Sequence, residues 1–474
     1  MSVQKYGAEA MNRESFSWSW VGVFTANGGP RYLQIVAFME IGISSQLLNP
    51  GDRLPPQRQL AEKLNVDLTT VTRAYKEAQR RNLLEARGVA GTFVSAPKAD
   101  LTQMVDLSMN IPPRPAGIDL DDMLRQGLSQ VLMRSDVDLL MTYHLGGGSV
   151  ADRTAGSMWL EPMMGRVHAD RIVVCPGAQA AIVALMTALS QPGDVILTEP
   201  MVYPGLLAAA RQLGRRVVTM EVDEEGALPE SMAELCQRHQ ARLAYFNPTL
   251  QNPTTKTLSA ARREAIAQVA NATGVYLIED DPYWHFTDGQ VRPLAYYAPK
   301  QTFYISTLAK CLLPGLRTAY VVAPGTYPVE PLLTALRSFV LMSAPLMTAL
   351  TTQWVHDGSA GTLLNAIRNE AQERFNLARR ILGPDHNGPA GGIHIWHSLP
   401  SGWDSHNFIQ RARIEGLNII SHEAFCATEQ IRAAQQATHI RISLSAALSR
   451  LELVNALRRL TDLAARPDRA EFIV

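Results

Sequence analysis

From about Leu107 onward the chain alternates seven β-like runs with helical patterns, and this alternation constrains the fold more than any other feature. The runs are Ile172 to Cys175, Val195 to Glu199, Arg216 to Val222, Leu243 to Phe246, Val275 to Glu279, Thr302 to Ser306 and Ala319 to Ala323. Each is short and largely apolar, and the stretches between them carry apolar residues at helical spacing. A helix after each strand carries the chain back to start the next strand in the same direction. The pattern therefore predicts an α/β unit, a mostly parallel sheet wound on both faces. From about Ser343 to the end, helices mix with strands near Gly392 to Trp396 and His439 to Ser443, which suits a smaller second lobe.

The first hundred residues follow another rule. From Tyr32 to Gln46 apolar residues recur at helical spacing until Asn49-Pro-Gly-Asp breaks the pattern. Leu54-Pro-Pro precedes a second helix from about Gln57 to Leu64, Asn65-Val-Asp67 makes a turn, and a third helix runs from about Leu68 to Asn82. Asp67 is a natural N-cap for it. Leu83 to Ala86 and Gly91 to Val94, around Gly88 and Gly91, read as a hairpin. Helix, helix, turn, helix and wing make a winged helix-turn-helix. The chain thus divides into an extension (1–27), a winged unit (28–96), a short polar connection (97–106) and the α/β unit (107–474). Trp18 and Trp20 in the extension cap some surface and show no chemistry.

Composition narrows the classes. At 474 residues and 46% hydrophobic the chain can bury a large core and build two or three structural units. Lys plus Arg equals Asp plus Glu at 44 each, so any nucleic-acid face is local rather than a global basic field. The four cysteines are scattered without metal-ligand spacing and read as reduced thiols, and no metal is expected. Met1 to Pro30 lacks a signal-peptide pattern, and the longest apolar run, around Ala180 to Leu189, is about half the length that spans a bilayer. A cytoplasmic protein with no membrane partner is expected.

The chemistry-bearing residues sit where the runs end. Lys310 follows one run, with Pro314-Gly-Leu-Arg317 just behind it. Asp280 ends another, and Tyr283 lies three positions on. Cys175-Pro-Gly177-Ala178-Gln179 opens a helix, where backbone amides and the helix dipole favour a phosphate. Glu199-Pro-Met-Val-Tyr203-Pro-Gly205, Asn247-Pro-Thr-Leu-Gln-Asn252-Pro-Thr and the late His439-Ile-Arg441-Ile-Ser443 complete the set. In this order the segments resemble the fold-type I aminotransferases, which use pyridoxal 5'-phosphate (PLP). The resemblance implies that Lys310 forms the internal aldimine and that Thr307 and Arg317 hold the cofactor phosphate with the helix start at Ala178 and Gln179. It also implies that Tyr203 stacks on the pyridine ring, Asn252 and Tyr283 reach its phenolic oxygen, and Asp280 keeps its nitrogen protonated. Arg441 would clamp a substrate carboxylate in a fork. Tyr143, ahead of Gly146-Gly-Gly148, would reach the phosphate of the partner subunit in a homodimer. One departure is Thr255, where the family places glycine.

The upstream segment Gly51-Asp-Arg53-Leu-Pro-Pro-Gln-Arg58 resembles the winged helix of the GntR family, with proline in place of its usual serine. That likeness implies phosphate and base-edge contacts from Arg53 and Arg58, and groove contacts from Thr69, Thr70, Thr72 and Arg73 at the start of the third helix. The wing tip departs, with Val89-Ala90 where the family carries glycine and a basic residue. A winged helix followed by an aminotransferase-like domain resembles the MocR/GabR subfamily of GntR regulators. It implies a DNA-binding transcription regulator that senses PLP, an amine or an amino acid through aldimine chemistry, as a homodimer on operator DNA. The alternative is an active aminotransferase with an N-terminal winged unit, and turnover stays open.

Overall fold

The structure is a computed structural model describing residues 16, 18–25, 29–45, 47–49, 51–81, 83–86, 91–95, 104–383, 391–434 and 439–466. The chain separates into two compact units, Met1–Gln103 and Met104–Val474.

In the first unit, α1 spans Arg31–Ser44, α2 Gln57–Leu64 and α3 Leu68–Arg80. Helix α2 stops because Asn65 turns left-handed at φ 50°. Helix α3 starts because the Asp67 carboxylate accepts the Thr69 amide at 2.7 Å. Their apolar faces bury Leu60, Val71, Ala74 and Tyr75 against Ile35, Val36 and Met39 of α1. Leu84–Ala86 pairs antiparallel with Thr92–Val94, as the wing pattern predicts. Gly51 to Leu54 runs beside the hairpin, with Gly51 N donating to Val94 O, Val94 N to Asp52 O and Leu54 N to Thr92 O. The wing-tip residues Gly88, Val89 and Ala90 lie outside the described residues, as do 97–103 of the connection. Part of the stretch read as an extension packs into this core. Trp20 is buried among the α1 side chains, and a Cβ on Gly42 would sit 2.7 Å from its Cβ, so only glycine admits the indole there.

The second unit is built on a seven-stranded sheet in the order Ile172–Cys175, Ala319–Val322, Thr302–Thr307, Tyr276–Asp280, Leu243–Phe246, Val195–Thr198, Arg216–Thr219. Six strands are parallel, and Ala319–Val322 runs antiparallel to both neighbours. Alternation along the strands gives both faces apolar cover. Tyr304, Tyr320 and Val322 join a core with Leu160 and Trp354, whereas Phe303, Ile305 and Val321 join one with Ile182 and Leu185. The smaller lobe packs a three-stranded antiparallel sheet (His394–Ser398, Ile420–Ser421, His439–Ser443) against the helices Ser359–Leu382, Ser405–Ile414 and Arg450–Ala464. Val105–Asp106, read as the end of the connection, instead forms a short parallel pair with Leu417–Asn418 in this unit. The sequence pattern missed it because two residues carry no period.

Candidate cofactor site and nucleic-acid surface

In an open α/β sheet the crevice lies beyond the carboxyl ends of the parallel strands, where backbone turns leave room for a ligand. Those ends here carry Gly177, Tyr203, Asn247, Asp280 and Thr307, while Arg317 enters the antiparallel strand from the same edge.

Asp280 closes its strand buried, with Oδ2 accepting the Tyr245 hydroxyl at 2.7 Å and its backbone carbonyl accepting Asn247 Nδ2 at 2.8 Å. Burial pushes its carboxyl up to about 6, opposed by the Tyr245 hydrogen bond. It stays mostly ionised at neutral pH, yet Oδ1 has no partner in the protein. A buried carboxylate oxygen left unpaired is costly, and a protonated ring nitrogen is the donor it fits.

Lys310 lies three residues beyond Thr307, its Nζ donating to Asn110 O at 2.6 Å. Burial, helped by Arg441 and Arg317 and opposed by Asp280, lowers its ammonium to about 8. Around the phosphate end, Gly177 is left-handed at φ 97° and a Cβ there would lie 2.9 Å from Arg317 Nη2. The exposed Arg317 side chain can therefore cross that helix start, where it donates to Pro176 O at 2.9 Å. Ala178 is the first residue of the helix Ala178–Leu189, which has no side-chain N-cap, and the first-turn amides of a helix have no intrahelical acceptor. Gln179 donates to Gly205 O at 2.9 Å and keeps its Oε1 unpaired. Thr307 is buried at the end of its strand, its hydroxyl accepting Ala309 N at 3.4 Å.

The opposite wall is aromatic and cationic. Tyr203 caps the helix Pro204–Gln212, and burial with the Asp280 charge raises its hydroxyl. Tyr283, 2% exposed, accepts Asn110 Nδ2 at 2.9 Å and is pushed up to about 12 by burial. Arg441 of the smaller lobe is 5% exposed; it donates to Asn252 Oδ1 at 2.7 Å and to Ser108 O, and lies 5.0 Å over the Phe425 ring. Burial lowers its guanidinium to about 10. The structure thus brings together Lys310, Asp280, Asn252, Tyr283, Arg441, Tyr203, Thr307 and Arg317 around Gly177, and the unpaired acceptors with the cationic pair fit PLP. Tyr143 stands apart at 71% exposure on this chain.

Sequence reading missed Tyr245, Asn247, Asn110 and His394. Tyr245 and Asn247 follow from strand register, since Tyr245 pairs with Ile278 beside Asp280. His394 is buried, its ring 5.3 Å from that of Tyr283, and burial lowers it to about 3, so it is neutral. Asn110 reaches the site across 200 residues of sequence, which no local pattern signals.

In the first unit, the start of α3 presents exposed Thr69 and Arg73. The Thr69 hydroxyl donates to the Asp67 cap at 2.6 Å, and Arg73 lies 4.5 Å over the Tyr32 ring. Thr72 donates to Gln57 Oε1 at 2.8 Å, tying α3 to α2, and Thr70 is half-buried. Arg58 is exposed on α2. Arg53 bridges to Phe93 and its Nε passes 3.0 Å from the Cβ position of Gly91, which places it beside the wing.

Among the described residues no helix is long and apolar enough to cross a membrane, and no cluster of potential metal ligands forms. Residues 102–460 match the family "Aminotransferase class I and II", and residues 31–94 match "Bacterial regulatory proteins, gntR family". The uncharacterized HTH-type transcriptional regulator YdeF of Bacillus subtilis is 28% identical over 460 residues, covering 95% of this chain and 98% of its own. The HTH-type transcriptional regulator TauR of Rhodobacter capsulatus is 26% identical over 448 residues, 84% of this chain and 90% of its own. Among solved structures, LysN, an α-aminoadipate aminotransferase from Thermus thermophilus, superposes with a TM-score of 0.68 at 22% identity, over 77% of this chain and 92% of its own, a likeness of fold. The chain belongs to the class I and II aminotransferase family, whose domain it joins to a gntR-family DNA-binding domain in the arrangement of MocR/GabR-type regulators.

Proposed function

We propose that the protein is a PLP-dependent transcription regulator whose second unit senses PLP itself or an amine or amino acid, and whose first unit reads operator DNA. The observation that carries this reading is the grouping of half-buried Lys310 with buried Asp280 and Arg441 in a chain whose other unit keeps Arg58, Thr69 and Arg73 exposed at a helix-turn-helix. PLP, when bound, supplies an aldehyde that takes up primary amines and a ring that withdraws electrons. The protein residues do the rest. Lys310, lowered to about 8, offers an amine deprotonated in a useful fraction of molecules near neutral pH. Asp280, fixed by Tyr245, presents the ionised oxygen that a ring N–H needs. Arg317 and the Ala178 helix start would hold the phosphate, Tyr203 would lie against the ring, and Arg441 would serve a ligand carboxylate.

A homodimer suits the exposed apolar stretch Met133, Val137, Leu139, Met141, Tyr143 and Leu145, in which Tyr143 would reach the partner's cofactor. A cytoplasmic location suits a DNA partner. A second reading, an active aminotransferase, is favoured by the completeness of the site. Titration of candidate amines into the PLP-loaded protein, followed by visible absorption and by operator affinity together, separates the two. A regulator changes both signals with the same ligand, because linkage makes the coupling reciprocal. Turnover of a ligand that leaves operator affinity unchanged would favour the enzyme.

A further inference from the structure

Two cations of the cofactor site are held by one short piece of backbone. Lys310 Nζ donates to Asn110 O at 2.6 Å, and Arg441 Nη2 donates to Ser108 O. The same piece holds Tyr283 through Asn110 Nδ2 at 2.9 Å, and Asn110 Oδ1 is buried without a partner. Asn110 is 3% exposed and Leu107 is fully buried. The segment is tied at its other end. Leu107 N donates to Asn418 O at 2.7 Å and Ser443 N to Leu107 O at 2.8 Å, while Asn418 Nδ2 reaches Asp106 Oδ1 and Ser108 Oγ, both at 3.1 Å. Val105 N closes the run on Gly416 O at 2.9 Å. The chain thus passes directly from residue 104, the first of the second unit, through a two-residue strand to the carbonyls that face Lys310 and Arg441.

Each carbonyl takes one donor of a cation that a ligand would call on, while Arg441 Nε stays without a partner. A guanidinium N–H that faces Ser108 O cannot at once serve a carboxylate in fork geometry. Committing the Lys310 nitrogen to a cofactor takes away the donor that Asn110 O accepts from. A buried carbonyl that loses its donor must find another or move. Resting on the regulator reading above, we propose that Leu107–Asn110 is a ligand-responsive strap, positioned by Asn110, which the cofactor and a carboxylate-bearing amine release from Lys310 and Arg441. The release passes along 105–107 to the point where the chain leaves for the DNA-binding unit. Asn110 is a positioning residue: its side chain pins the strap to Tyr283 and so sets how firmly the two carbonyls are held.

Hydrogen exchange of the full-length protein, read by mass spectrometry over peptides spanning 104–112, tests this. Three states are compared: without cofactor, with PLP, and with PLP plus L-glutamate as a carboxylate-bearing probe. PLP should speed exchange of the Leu107–Asn110 amides by about fivefold, the factor for one lost hydrogen bond, and the probe should add to it. Asn110→Ala should exchange quickly already without PLP and gain little from it. Asn110→Asp, which can accept the Tyr283 hydroxyl, should restore part of the protection, whereas a merely structural role would not return the PLP response. If wild type takes up PLP, shown by its visible band, and exchange over 107–110 does not change in either liganded state, the strap is wrong and the regulator reading stands. Failure to take up PLP would overturn both. Should Asn110→Ala fail to fold, the three wild-type states still decide.

Discussion

The two units expose their function in opposite ways. In the winged unit the candidate side chains lie on the outside, and their positions follow from local devices: the αL turn at Asn65, the Asp67 cap, the left-handed Gly91 beside Arg53. In the cofactor unit most are buried and come from segments scattered between residues 177 and 441, with Asp280, Asn252, Tyr283, Thr307 and Arg441 at 7% exposure or less and Arg317 exposed. An exposed nucleic-acid reader needs a rigid frame and little else, because phosphates and solvent complete its hydrogen bonds. A buried site must satisfy its own polar groups, so what it leaves unsatisfied, Asp280 Oδ1 above all, describes the kind of ligand it fits.

The largest expected effect tests the buried side of that contrast. Lys310→Ala should abolish the visible band of the PLP-loaded protein and the borohydride-fixed label at this residue, while salt-dependent DNA binding by the first unit persists. Retention of a reducible adduct in the variant would place the attachment elsewhere.

The next effect asks whether the frame of the winged unit includes its upstream arm. Trp20 is 4% exposed and fills space that Gly42 leaves open. Trp20→Ala should destabilise the first unit by about 3–5 kcal/mol. Thermal unfolding should show this loss in the first unit's transition without moving the PLP absorbance. A change below about 1 kcal/mol would mean that the arm merely rests on the surface.

Much of this was legible in the sequence, for a physical reason. The seven sheet strands and the three helices were found within three residues because apolar periodicity and turn residues are local. Lys310, Asp280 and Arg317 stood out as candidates because their loops have characteristic neighbours. Tyr245, Asn110 and His394 were not, because they reach the site through register and long-range packing, and Asn110 meets Lys310 across 200 positions. Trp20 was read as capping a surface, whereas it is buried in the first unit's core, since one aromatic residue has no period. Val105–Asp106 was read as connection for the same reason.

A smaller effect tests the exposed side. Arg58→Ala should weaken operator binding by about 1–3 kcal/mol and relax specificity if the guanidinium reads a base edge. If it reads a phosphate, binding to all sequences should weaken alike and the slope of log affinity against log salt should fall by about one. The double variant with Arg53→Ala should lose more than either alone. Binding as tight as wild type in the double variant would remove the winged helix from DNA recognition.

The smallest effect is a shift of pH dependence, which returns to the buried site. Only the deprotonated Lys310 amine attacks an aldehyde, and burial with Arg441 and Arg317 nearby lowers that group to about 8. PLP uptake should therefore quicken roughly tenfold per pH unit below that value and level off above it. Arg441→Ala removes a positive neighbour, so the break should move up; Asp280→Asn removes the negative neighbour that opposes the shift, so it should move down. The same displacement has a stability sign. Between about 8 and the ordinary 10.5 the unfolded chain holds a proton on this lysine that the folded chain has released, so the cofactor-free protein should gain stability from Lys310 as pH rises through that window. Lys310→Met should lack that gain. A break in PLP uptake near 10 in wild type would mean that the amine is solvated, and the contrast between an exposed surface and a buried cofactor site would lose its chemical basis.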